Sequence, residues 1–210
     1  MQIAILLFDR LTALDAVGPY EVLRGLPEAD VRFVATAPGP QRTDHGALAL
    51  VADYALDDVR APDVIVVPGG PGEVAVRGDE RALDWLRAAH VGSQWTTSVC
   101  TGSLVLAAAG LLDGKRATSH WTALDELERL GAVAVTERVV FDGKIVTAAG
   151  VSSGIDMALT LAARLAGEDV AQAIQLAIEY DPQPPFDAGS HLKASAELVD
   201  SLRARSRFAT

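Results

Sequence analysis

The sequence predicts an α/β protein: a doubly wound, mostly parallel sheet with helices on both faces and a cysteine at a strand-to-helix elbow. Three observations predict it. Short apolar runs of strand length alternate with helical patterns along the chain. Clusters of glycine and proline follow those runs. The single cysteine, Cys100, ends one run and directly precedes a helical stretch.

Residues 3–8 form a continuous apolar run, which suits a strand buried on both faces of a parallel sheet. A short helix is expected over 19–26, with Pro19 in its first turn. Residues 31–37 and 64–67 repeat the strand pattern, each followed by Pro and Gly. Between them, residues 42–54 suit a small hairpin or an irregular excursion. A helix over 79–89 places Leu83 and Leu86 on one face. Residues 94–99 are a further strand, with β-branched Thr96, Thr97 and Val99. The helices expected over 101–112 and 155–165 are apolar almost all round, so both should be buried. Residues 139–141 and 144–147 flank Asp142-Gly143 and read as a hairpin with a primed turn. Residues 181–191 are irregular and wrap the surface before a last helix near 192–206. Strand and helix in alternation imply a parallel sheet with right-handed crossovers. No repeat, low-complexity segment or linker divides the chain, so residues 1–210 are expected to form one domain.

Composition excludes several classes. One cysteine makes no intrachain disulfide and no cysteine-built metal site. Half of the residues are hydrophobic and 22% are charged, which is a globular balance. Lys and Arg number 18 against 28 Asp and Glu, a net charge of −10 that argues against a nucleic-acid partner. The longest strongly apolar stretch, 104–112, is too short to span a bilayer, so no membrane partner is expected. The N-terminus lacks a basic leader and reaches Asp9 too soon for a signal peptide. A soluble cytoplasmic protein is expected.

The chemistry centres on Ser98-Val-Cys100-Thr101-Gly102. A strand running into a nucleophile, with small residues on both sides and a helix after it, is a nucleophile elbow with sulfur in place of a serine oxygen. Such a turn sets the side chain at a helix N-terminus, which favours an anion and should lower the thiol pKa. The competing reading is a structural cysteine acting as a small hydrophobe; the strand–Cys–helix context favours the nucleophile. A second segment, Val67-Pro-Gly69-Gly70-Pro-Gly, follows a buried strand, where glycines let backbone N–H groups approach a ligand. The Gly70 N–H together with that of Thr101 is expected to form an oxyanion-type hole. It is no phosphate loop, because the Gly-Lys-Ser/Thr ending is missing. Asp15 lies where the loop after the first strand enters a helix; by residue type it is more often an N-cap than a catalyst. His120 is a candidate base or orienting group. The remaining histidines carry no ligand spacing, so no metal site is proposed.

Together these segments resemble the ThiJ/PfpI superfamily, in its isocyanide-hydrating branch. The matching stretches are Leu-Asp-Ala-Val-Gly-Pro (14–19), Val-Pro-Gly-Gly (67–70), residues 98–112 from Ser-Val-Cys-Thr-Gly-Ser onward, Arg-Ala-Thr-Ser-His-Trp (116–121), Ser-Gly-Ile-Asp (153–156) and Pro-Pro-Phe-Asp-Ala-Gly-Ser (184–190). The resemblance implies a flavodoxin-like fold, a homodimer and hydration of a small isocyanide to an N-substituted formamide, without metal or organic cofactor. It makes Cys100 the nucleophile and Asp15 its acid/base partner. Thr101 becomes the neighbour whose hydroxyl or N–H contacts the reacting group. Gly150 and Val151 match the segment before a helix packed beside the cysteine, Val151 as a packing contact. Ala16-Val17 stands where Leu-Thr is expected, and the C-terminal tail is shorter. Two anions side by side are costly, so Asp15 and Cys100 should share one proton, with Asp15 expected to hold it. The alternatives are a glyoxalase-like or amidase-like hydrolase on the same scaffold, or a redox or ligand sensor. Asp15 with Cys100-Thr101 speaks against the first. The acidic balance, and a chain that ends soon after its last expected helix, speak against a DNA-binding regulator.

Overall fold

The structure, a computed structural model, describes residues 1–209. The chain runs β1 (Gln2–Leu6), α1 (Ala13–Leu23), β2 (Asp30–Ala35), β3 (Gly39–Arg42), β4 (Ala49–Ala52), β5 (Tyr54–Ala55), β6 (Val64–Val67), α2 (Glu73–Arg77), α3 (Glu80–Gly92) and β7 (Trp95–Val99). It continues through α4 (Gly102–Ala108), β8 (Arg116–Ala117), α5 (Leu124–Arg129), β9 (Val133–Ala134), β10 (Val139–Asp142), β11 (Ile145–Ala148), α6 (Ser153–Ala166), α7 (Glu168–Ala177) and α8 (Ala196–Ala204).

The seven-stranded sheet has the order β10-β11-β7-β6-β1-β2-β5, and only the β10–β11 pair is antiparallel. Its centre is β1 and β6, whose Ile3, Ile5, Ile65 and Val66 are fully buried. Each such side chain removed from water contributes about 1.5–3 kcal/mol. Between β1 and β6 the strand order reverses, and the carboxyl ends of strands at such a switch point form a crevice. The chain leaves β1, β6 and β7 there, and the three segments singled out above follow those strands, the first of them in the opening turns of α1.

The mostly parallel sheet is as expected; several element bounds move. Helix α1 begins at Ala13, so Pro19 sits inside it and not in its first turn. Burial explains the exception: Gly18 and Pro19 face α6, where a Cβ on Gly18 would meet Ile155 at 3.1 Å and one on Gly154 would meet Pro19 at 3.3 Å. Helix α4 ends at Ala108, and turns carry the chain on to Leu112. The expected hairpin forms with its turn one residue later: Asp142 pairs with Ile145 around Gly143-Lys144, and Gly143 takes φ +61°. A second hairpin, β3–β4, occupies the region left open as an excursion. Helices α2, α5 and α7 are additional to those expected. Among the described residues no helix is long and apolar enough to cross a membrane.

Candidate active site

Cys100 follows β7 with φ +58°, the left-handed region that a residue with a Cβ seldom enters. The strain is held by several hydrogen bonds. The Cys100 N–H donates to the carbonyls of Ala148 (3.0 Å) and Ala149 (2.9 Å). Its own carbonyl accepts from Ser103 Oγ (3.2 Å) and Ser119 Oγ (3.1 Å). A non-glycine residue pinned in this conformation marks a site that the surroundings over-determine. Gly102 makes the turn possible, since a Cβ there would lie 2.1 Å from the Val67 carbonyl oxygen.

Asp15 is fully buried in the first turn of α1, three residues after the N-cap position at Thr12. It is therefore not the N-cap that its residue type suggested. Its Oδ2 accepts the Gly69 N–H at 2.9 Å, and its Oδ1 has no hydrogen-bond partner. A side chain on Gly69 would strike Thr101 N at 2.5 Å and Asp15 Oδ2 at 3.0 Å, so only glycine fits there. Burial pushes the Asp15 carboxyl up to about 7, against the opposing pull of the Gly69 N–H and the Cys100 thiol. The thiol is itself pushed well above its ordinary range, first by burial and then by the facing Asp15 charge. Two backbone N–H groups, of Thr101 and Val151, oppose that rise. The expected lowering by the helix terminus does not prevail, because Cys100 is only 5% exposed and desolvation is the larger effect. Burial thus opposes ionisation of both groups, so the free thiolate that the helix terminus was expected to favour is not favoured here.

The glycine loop differs from expectation in one donor. The Gly70 N–H is engaged by the Thr101 hydroxyl oxygen at 3.0 Å, so it is not free for an oxyanion. The N–H groups that face the sulfur are those of Thr101 and Val151. Val151, taken from sequence as a packing residue, presents backbone and sits at φ +24°. No side-chain pattern could have announced it, since a backbone N–H belongs to every residue type but proline. Gly150 lies under His120, whose Cδ2 would be 2.9 Å from a Cβ at that position. The His120 Nδ1 lies 2.8 Å from the Thr122 hydroxyl, and burial lowers the ring pKa. His120 thus bounds the neighbourhood of the thiol from the Gly150 side.

A cysteine on a strand–turn–helix, with a buried carboxylate against it at the switch point of a flavodoxin-like sheet, defines a class of α/β cysteine proteins. The profile of the DJ-1/PfpI family matches residues 1–164, and the chain belongs to that family. It is 48% identical over 205 residues to an isonitrile hydratase of Pseudomonas putida, covering 98% of this chain and 90% of that protein. It is 36% identical over 136 residues to the HTH-type transcriptional regulator CdhR of Pseudomonas aeruginosa, covering 63% of this chain and 40% of the regulator. The crystal structure of a ThiJ/PfpI family protein from Pseudomonas syringae superposes with a TM-score of 0.94 at 38% identity, over 97% of this chain and 85% of that one.

Proposed function

We propose that this protein is an isocyanide hydratase, converting R–N≡C and water to R–NH–CHO. The observation that carries the reading is the buried Asp15–Cys100 pair, one thiol and one carboxyl sharing protons at the family's elbow. Similarity to the Pseudomonas putida isonitrile hydratase over nearly the whole chain supports the same reading.

The chemistry runs in two halves. Cys100 Sγ bonds to the terminal isocyanide carbon while Asp15 takes up the thiol proton and delivers it to that carbon. The product is a thioimidate, R–N=CH–S–Cys100. Asp15 then takes a proton from water as the oxygen adds to the same carbon and passes that proton to the imine nitrogen, giving R–NH–CH(OH)–S–Cys100, whose hydroxyl holds the remaining water proton. Collapse of the tetrahedral adduct breaks the C–S bond, returns the proton to sulfur and leaves the formamide. Oxidation states balance throughout, so the scheme calls for neither metal nor organic cofactor. In this scheme the N–H groups of Thr101 and Val151 stabilise charge developing on sulfur. Gly69 fixes the carboxylate, and Gly70 fixes the Thr101 hydroxyl.

Residues 1–210 form one domain in this reading, supported by a hydrophobic cluster continuous from Ile3 to Ile174. The protein acts as a homodimer, supported by the family resemblance and by the exposed Leu14, Leu48 and Val51. A cytoplasmic location suits a site that requires its one thiol reduced. The test is turnover of aryl and alkyl isocyanides beside methylglyoxal. Formamide from the isocyanides, with methylglyoxal untouched, supports the hydratase. Methylglyoxal turnover with inert isocyanides would replace it with a glyoxalase-like activity.

A further inference from the structure

The Val151 N–H faces the sulfur from a residue at φ +24°, a conformation that a β-branched side chain disfavours. Residues 149–152 must therefore be held in place. Bonds at the start of α6 do part of this: the Gly150 carbonyl accepts the Ser153 N–H at 3.1 Å, and the Val151 carbonyl accepts the Gly154 N–H at 3.4 Å. One residue outside the loop, Arg138, reaches both of its ends from its place just before β10. The Arg138 carbonyl accepts the Ala149 N–H at 2.9 Å, and the Ala149 carbonyl in turn accepts the Cys100 N–H at 2.9 Å. The Arg138 guanidinium donates through Nε to Asp156 Oδ2 at 2.6 Å and through Nη2 to Ser152 Oγ at 3.4 Å. Ser152 is the N-cap residue of α6, yet its hydroxyl makes no capping bond. Asp156 stands in the first turn of that helix, and the Tyr180 hydroxyl donates to its other oxygen at 3.1 Å.

We propose that Arg138 is a positioning residue for Cys100, clamping the 149–152 loop so that the Val151 N–H stays aimed at the sulfur. It touches no reacting atom and acts through the backbone of its neighbours. The Arg138–Asp156 pair is half in water, with side chains 51% and 32% exposed. Such pairs add little to overall stability, so its effect is on the loop it holds. A strained backbone persists only where its surroundings over-determine it. Arg138 supplies that constraint with a rigid planar fork, which a lysine ammonium lacks. One residue thus ties β10, the loop facing the thiol and the start of α6 together. The inference rests on the proposed role of Cys100 as the reacting thiol, not on the identity of the substrate.

The test reads the thiol itself. Cys100 is the chain's one cysteine, so carbamidomethylation by iodoacetamide, followed by mass, reports it alone. The rate at pH 8 tracks the thiolate fraction. Arg138→Met and the shape-conserving Asp156→Asn each slow it by about tenfold, the scale of one lost hydrogen bond to an anion, with little change in thermal midpoint. Arg116→Met, which breaks an exposed pair with the neighbouring Glu137, leaves the rate unchanged. A merely structural role would lower the midpoint and leave the folded protein alkylating at the wild-type rate. Wild-type or faster alkylation in folded Arg138→Met overturns the inference, as does equal slowing in Arg116→Met. Should Arg138→Met fail to fold, Asp156→Asn decides by the same criterion. Turnover is read separately: wild-type protein that hydrates no isocyanide, with alkylation still slowed in the variants, removes the hydratase reading and keeps the clamp.

Discussion

Asp15 and Cys100 give the site a pH signature. The folded carboxyl titrates near 7, raised from 3.8 by burial. Attack on carbon needs the pair to hold one proton, so kcat/KM for an isocyanide should fall on the acid side with an apparent pKa near 7 and level off above it. That limb reports the free protein's essential group. Asp15→Asn should keep the fold, lose turnover and lack the limb; wild-type rates in this variant would remove Asp15 from the chemistry. A stability consequence has a definite sign. A carboxyl with a raised folded pKa contributes most below its unfolded value, and that contribution is lost as pH rises through about 7. Wild type should therefore lose stability relative to Asp15→Asn between about pH 4 and 7, read as diverging denaturant midpoints. Parallel midpoints across that range would contradict the burial argument. At this scale the sequence was partly legible. Cys100 stood out through its small neighbours, whereas Asp15 read as an N-cap by residue type and gained an acid/base role only through the family resemblance. Its burial, and the donors from Thr101 and Val151, depend on tertiary packing that no local pattern carries.

The elbow itself depends on close approach of two elements. α4 leaves β7 so steeply that Gly102 lies against the β6 backbone, with the Val67 carbonyl 2.1 Å from any added Cβ. Backbone cannot step aside as a flexible side chain does. Gly102→Ala should therefore destabilise by about 1–3 kcal/mol or more, the range for overpacked sites. A denaturant midpoint equal to wild type would show that β6 and α4 separate easily. Strands were the more legible elements, because burial on both faces gives β1, β6 and β7 unbroken apolar runs. Helices were harder. α1 tolerates Pro19 because tertiary contact with α6 outweighs the lost backbone hydrogen bond. α7 is clearly amphipathic, yet it was not among the expected helices; it buries Ala171 and Ile174. α8 buries nothing, yet its pattern is plain, since its apolar face turns toward a cavity that Trp121 also lines.

Across the whole molecule, the reversal of strand order between β1 and β6 is what assembles the site. Asp15 in the first turn of α1, Gly69 after β6 and Cys100 after β7 follow three different strands, and the sheet brings the carboxyl ends of those strands to one crevice. The alternation of strands and helices made this topology legible, and with it the place of the site. The last helix was legible, but the path of residues 181–191 was not, because they carry no period from which it could be read. For the homodimer, light scattering should give twice the chain mass, and a single-chain mass would contradict it. The central claim is that Cys100 forms a bond to the isocyanide carbon. Formamide appearance from an aryl isocyanide, followed by mass with wild type and Cys100→Ala side by side, tests it most directly. Formamide from wild type and none above background from Cys100→Ala is the predicted result; formamide from Cys100→Ala at the wild-type rate would contradict it.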